Sequence, residues 1–182
     1  MIRVVAFLFS LLLPVCVSAQ TFDEVKELAE GGSRFHQSFL ASMYESGVSG
    51  VPQDLKKAAE WYVTAAEDGD PERLYLVGRV YDQGIGVPQD LTEARKWYQD
   101  AAQKGYAAAA YGLGYLVART TKDKVEAYKW FAVSSELNND PGMAAQLRPV
   151  LDKLKSHMTE PEISSAMELA LSWIKKTASY RE

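Results

Sequence analysis

The chain has 182 residues, with 24 Asp and Glu against 20 Lys and Arg and a formal net charge of −4. An acidic chain without a basic run or stripe is not expected to bind nucleic acid, which needs a cationic footprint. Two His and a single Cys leave no disulfide framework and no multi-thiolate zinc site.

The first segment, 1–19, is unlike the rest. Arg3 is its only charge, "VVAFLFSLLLPVCV" follows, and "VSA" closes it. This is the pattern of a secretory signal peptide cleaved after Ala19. The apolar run is about fourteen residues, short of the ~20 that span a bilayer as a helix. "LPVC" is similar to a lipid-attachment box, but the residue before such a cysteine should be small and here it is Val15, so lipid anchoring at Cys16 is not expected. The mature chain, from Gln20, would carry no cysteine and no transmembrane segment. It is expected in the periplasm or secreted.

Residues 20–32, containing "TFDEVKELAEGG", predict an N-terminal capping helix. After them the chain repeats itself. "YESGVSGVPQDLKKAAEWY" at 44–62 and "YDQGIGVPQDLTEARKWY" at 81–98 differ in length by one residue, and Trp61 and Trp97 stand 36 residues apart. A third copy follows, because "GGSRFHQSFLASMYESG", "DGDPERLYLVGRVYDQG" and "KGYAAAAYGLGYLVART" align, as do "KAAEWYVTAAEDG", "EARKWYQDAAQKG" and "EAYKWFAVSSELN". The repeats are placed at 33–69, 70–105 and 106–138. The third lacks the Gly-Val-Pro loop, has "RTTKDK" there, and shortens the spacing from Trp97 to Trp130 to 33.

Each copy predicts two helices. The first carries Leu74, Val77, Gly78 and Tyr81 at helical spacing and stops at Gly84. The second is capped by Asp54 or Asp90 and buries Ala58, Trp61, Tyr62 and Ala65, or Ala94, Trp97, Tyr98 and Ala101. One such pair cannot cover its own apolar face, whereas stacked pairs bury a continuous core. The tail, 139–182, predicts C-terminal capping helices, with Thr159, Pro161 and Glu162 opening the last. Trp173 in that tail fits a core aromatic better than a docking residue.

Tyr-x-x-Gly-x-Gly-Val-x-x-Asp followed by Ala-x-x-Trp-Tyr-x-x-Ala-Ala-x-x-Gly resembles the Sel1-like repeat, a relative of the tetratricopeptide repeat. The resemblance implies an all-α fold, an α/α solenoid of stacked antiparallel helix pairs with helical N- and C-terminal caps. His36 and Arg73 depart from it, standing where the family usually has Ala. His36 is expected at a packed or edge position.

No His, Asp and Glu cluster has metal-ligand spacing, and no cofactor is expected. "YGLGYL" has neither the preceding strand nor the Gly-Lys-Ser/Thr ending of a phosphate loop. No serine is expected beside a base, so the chain is not expected to be an enzyme.

The resemblance implies a concave groove lined by the first helices of successive pairs. Register places Glu72, Tyr75, Arg79 and Asp82 there from the second copy, and Ala108, Tyr111, Tyr115 and Arg119 from the third. The first copy supplies Phe35, Ser38, Ser42 and Glu45. Tyr and Arg dominate binding hot spots, and Arg79 and Tyr115 replace apolar positions of the family. Tyr75 and Tyr111 could equally pack between repeats. The implied function is an adaptor or scaffold holding another periplasmic or envelope protein. One alternative is an immunity protein that blocks a periplasmic toxin such as a phospholipase. A second, from family members with cysteine-linked repeats, is a hydrolase of β-lactam or cell-wall material, although those cysteines are missing here.

Overall fold

The structure, a computed structural model, describes residues 20–48, 50–138 and 141–178. The expected signal peptide and Cys16 lie outside the described residues. Nine helices and no strand occupy the described residues: α1 (Phe22–Glu30), α2 (Arg34–Ser46), α3 (Leu55–Ala65), α4 (Pro71–Gln83), α5 (Leu91–Gln103), α6 (Ala107–Thr120), α7 (Lys124–Leu137), α8 (Pro141–Lys155) and α9 (Glu160–Thr177).

Side chains at the helix starts explain the boundaries. Asp54 accepts from the Lys57 amide at 3.0 Å, Asp90 from the Thr92 and Glu93 amides at 2.9 and 3.0 Å, and Asp123 from the Glu126 amide at 3.0 Å. The same cap therefore opens the second helix of all three copies, each satisfying donors that a helix start leaves bare. The Glu162 carboxylate accepts from the Thr159 amide at 2.7 Å before α9, and this bond holds Glu162 below the usual carboxylate range. Gly84 ends α4 in the left-handed region, at φ 70°. The third copy has no such glycine, and Lys122 makes the turn instead, at φ 57°.

The helices stack as antiparallel pairs, α2 on α3, α4 on α5 and α6 on α7, with each pair resting on the one before. This is an all-α solenoid. Ala58, Ala94 and Ala127 are fully buried at one repeated position, and Tyr62, Tyr98 and Phe131 at another are at most 3 % exposed. Small residues let the large rings in. A Cβ on Gly78 would lie 2.4 Å from Cδ1 of Tyr98, so the ring occupies the space that any side chain there would need. The Gly-Val-Pro loop is also a contact between repeats. A Cβ on Gly86 would meet the carbonyl oxygen of Leu55, at the start of α3, at 2.0 Å.

The C-terminal end is closed mainly by α9, which packs on α7 more extensively than α8 does. Ala166 and Ala170 are buried, and the Trp173 ring stands edge-on to Trp130 at 5.2 Å. Trp173 thus takes the core role. Burying a large apolar side chain of this kind stabilises by about 1.5–3 kcal/mol. Helix α8 lies to one side, and its interior Pro149 removes one backbone donor from it.

Candidate partner-binding face

Helices α2, α4 and α6 are the first helices of their pairs, and a ladder of polar rungs joins them. Glu45 on α2 accepts from the Tyr62 hydroxyl at 2.7 Å and from Nη2 of Arg79, on α4, at 3.0 Å. One repeat later, Asp82 on α4 accepts from the Tyr98 hydroxyl at 3.2 Å and from Nη2 of Arg119 on α6. Burial, reinforced by the adjoining carboxylate, pushes the Tyr62 and Tyr98 hydroxyls well above the usual tyrosine range. Each rung uses a tyrosine of the same pair and an arginine of the next.

Three of the residues expected to face a partner also make contacts within the stack. Arg79 pairs with Glu45 and Arg119 with Asp82, and each pair ties one repeat to the next. The Arg79 and Glu45 side chains are 28 % and 25 % exposed, so the pair is partly shielded from water. Arg119 keeps half of its side chain exposed while it holds Asp82. Ser42 donates back to the Phe39 carbonyl at 2.8 Å. Tyr75 packs between repeats, with its ring 5.6 Å from Tyr98 and 5.3 Å from Tyr106.

Tyr111 is half-buried, 4.9 Å from the Tyr115 ring and 5.6 Å from Phe131, and its hydroxyl is pushed up to about 12 by burial and by Tyr115. Tyr115 itself leans edge-on to Phe131 at 5.4 Å yet is 50 % exposed. At the other end, Phe35 is 67 % exposed and stacks on Phe39 at 6.5 Å. Together with Ser38, Glu72, Arg73 and Leu76 they line a hollow of about 200 Å³ between α2 and α4. Glu72 is exposed at its edge, and Ala108 is half-buried. Phe39 was not among the expected residues. Its signal was present, since it follows Phe35 by one helical turn in "RFHQSFL".

A larger cleft of about 520 Å³ lies where α6 and α7 meet α8. Tyr115, Ala118, Phe131, Val150 and Leu154 supply its apolar wall, and Lys124, Lys153 and His157 stand around it. No local pattern in the sequence announces this cleft, because it depends on where α8 comes to rest.

The expectation that no serine stands beside a base needs correcting. Ser33 Oγ is 2.7 Å from Nδ1 of His36, and Ser156 Oγ is 3.0 Å from Nδ1 of His157. Both pairs are local, made by residues three or fewer positions apart. Nε2 of His36 faces the Gln20 amide at 3.3 Å, so no carboxylate orients that imidazole as a hydrolytic triad requires. His36 takes an edge position at the start of α2. Among the described residues no group of three His, Cys, Asp or Glu is placed to hold a metal ion. No helix among them is long and apolar enough to cross a membrane.

Comparison with known proteins agrees with this architecture. No curated protein matches the chain. A crystal structure of a protective antigen of uropathogenic Escherichia coli strains, displaying an SLR fold, superposes with a TM-score of 0.60 at 23 % identity. That match covers 87 % of this chain but 41 % of the antigen, so the chain spans about two fifths of its length. A Sel1 repeat protein from Oxalobacter formigenes superposes with a TM-score of 0.60 at 29 % identity, over 66 % of this chain and 94 % of the other. The Sel1 repeat matches residues 37–70, 74–106 and 107–139, more than half of the chain. With the stacked pairs and their repeated caps on view, the chain belongs to the Sel1 repeat family, whose members are typically protein–protein interaction modules.

Proposed function

We propose that this chain is a non-catalytic interaction module of the bacterial cell envelope, exported by its N-terminal segment, which holds a partner protein on the face of α2, α4 and α6. The observation that carries this reading is the distribution of exposed aromatic surface on that face. Phe35 and Phe39 lie at one end and Tyr115 at the other, and the ladder of Arg, Glu, Asp and Tyr lies between them. Exposed aromatic side chains at two points on a rigid polar frame offer contact area at low entropic cost. The ladder residues keep the helices in register, and the aromatic ends supply the contact.

The test is an affinity enrichment from envelope extract with the native chain and with a Phe35→Ser, Tyr115→Ala variant. Both positions are exposed, so the variant should keep its helical circular dichroism. A partner held by the native chain and lost by the folded variant is the expected outcome. Equal retention by both would sink the assignment to this face.

A further inference from the structure

The ladder stops after two rungs, and the change at the third position is chemically consistent. Where the first two copies place a carboxylate, Glu45 and Asp82, the third has Ala118. Where they place a buried tyrosine hydroxyl, Tyr62 and Tyr98, it has Phe131, and Tyr115 stands in the register of Arg79. Ala118 and Phe131 remove polar groups, Tyr115 exchanges a cation for an aromatic ring, and all three line the cleft of about 520 Å³ beside α8. A polar rung awaiting a further repeat would leave unsatisfied groups here, yet an apolar wall is present. The volume lies within the ~300–1,000 Å³ typical of ligand-sized clefts.

The surround has one sign. Lys124, Lys153 and His157 line the cleft and no Asp or Glu does, although acidic residues outnumber basic ones in the chain. Lys124 Nζ donates to the His157 carbonyl at 2.5 Å, which leaves its charge uncompensated by that bond. Glu162 is near enough to feel Lys124 and offsets part of its charge, whereas Lys153 is exposed at the rim. Arg119, one turn beyond Tyr115 on the same helix, is half-exposed but already holds Asp82.

We infer that this cleft takes a bulky apolar side chain of a partner peptide segment whose flanking residues are Asp or Glu. The side chain lies against Tyr115, Phe131 and Leu154, and the flanking carboxylates meet Lys124 and Lys153. Tyr115 belongs both to this cleft and to the face of α2, α4 and α6, so a segment lying on that face continues into the cleft. The inference rests on the proposed interaction function and names the chemistry of its partner.

The experiment selects binders to the protein from a displayed random-peptide library and measures the strongest by fluorescence anisotropy. Expected binders carry a bulky apolar residue next to Asp or Glu, and weaken as salt is raised. Tyr115→Ala and Lys153→Glu, both at accessible positions, should each weaken them by roughly tenfold or more. Binders without acidic residues, or binders indifferent to both substitutions, would overturn the cleft assignment. So would an empty selection. Binders lost with Phe35→Ser but kept with Tyr115→Ala would also overturn it, while leaving the interaction function standing. Dodecanoate serves as competitor. Binding of dodecanoate that exceeds every selected peptide would make the occupant a lipid-like acid and overturn the peptide assignment.

Discussion

Arg79 on α4 stands 3.0 Å from the Glu45 carboxylate on α2, and Tyr62 holds the other oxygen of that carboxylate at 2.7 Å. An arginine singled out as a partner contact is thus a fastener between repeats. Charged substitution there would disturb the stack before it tested any interface.

Arg79→Met and Glu45→Gln should each cost about 1–2 kcal/mol of stability, because both groups are largely shielded and one partner is left without its bond. A double-mutant cycle by urea unfolding should give a coupling of about 1 kcal/mol. Additive effects would show that the pair carries no stabilising interaction.

Gly50 and Gly86 occupy one loop position in successive copies, both at positive φ, 79° and 68°. A Cβ at Gly50 would meet nothing within 4 Å, whereas at Gly86 it would meet the Leu55 carbonyl. Gly50→Ala should therefore cost only the left-handed strain, about 1–2 kcal/mol. Gly86→Ala should cost a further 1–3 kcal/mol or so from overpacking. Equal costs in thermal unfolding would deny that this loop is a contact between repeats.

The Tyr62 and Tyr98 hydroxyls are raised from the ordinary value of 10.0 by burial beside carboxylates. Above pH 10 the unfolded chain releases these protons and the folded chain keeps them, so the unfolded state binds fewer and stability falls with rising pH. Their contribution is full below about pH 10 and is lost above it. Tyr62→Phe should cost about 1 kcal/mol at neutral pH, where the bond to Glu45 is lost. It should also make the decline above pH 10 shallower. An unchanged alkaline slope would contradict the assignment.

Trp173→Ala should destabilise the end of the stack by about 2–3 kcal/mol, the partly buried ring losing less than the 3–5 kcal/mol of a fully buried one. Tyr115→Ala, half-exposed, should cost under about 1 kcal/mol of stability. Thermal melts of the two variants side by side check this order.

The sequence made the repeat legible because each cap, stripe and glycine recurs at a fixed interval, and Asp54, Asp90, Gly84 and Ala94 do what their spacing implied. The site was less legible. Register placed Arg79, Asp82 and Arg119 on the correct helices, but register cannot say whether a charged side chain meets a partner or a neighbour 34 residues away, as Arg79 meets Glu45. Phe39 lies outside the columns counted for the groove, and its 41 % exposure is a property of the folded stack that register does not give. The α8 cleft depends on contacts between elements far apart in sequence, which no local pattern encodes.

The most direct measurement is site-specific photo-crosslinking in cells. A photoreactive residue replaces Tyr115 on the proposed face or Lys96, exposed on the second helix of its pair. The expected result is a discrete adduct from position 115 that is absent from position 96. Adducts from position 96 alone, or the same adducts from both, would contradict binding on the face of α2, α4 and α6.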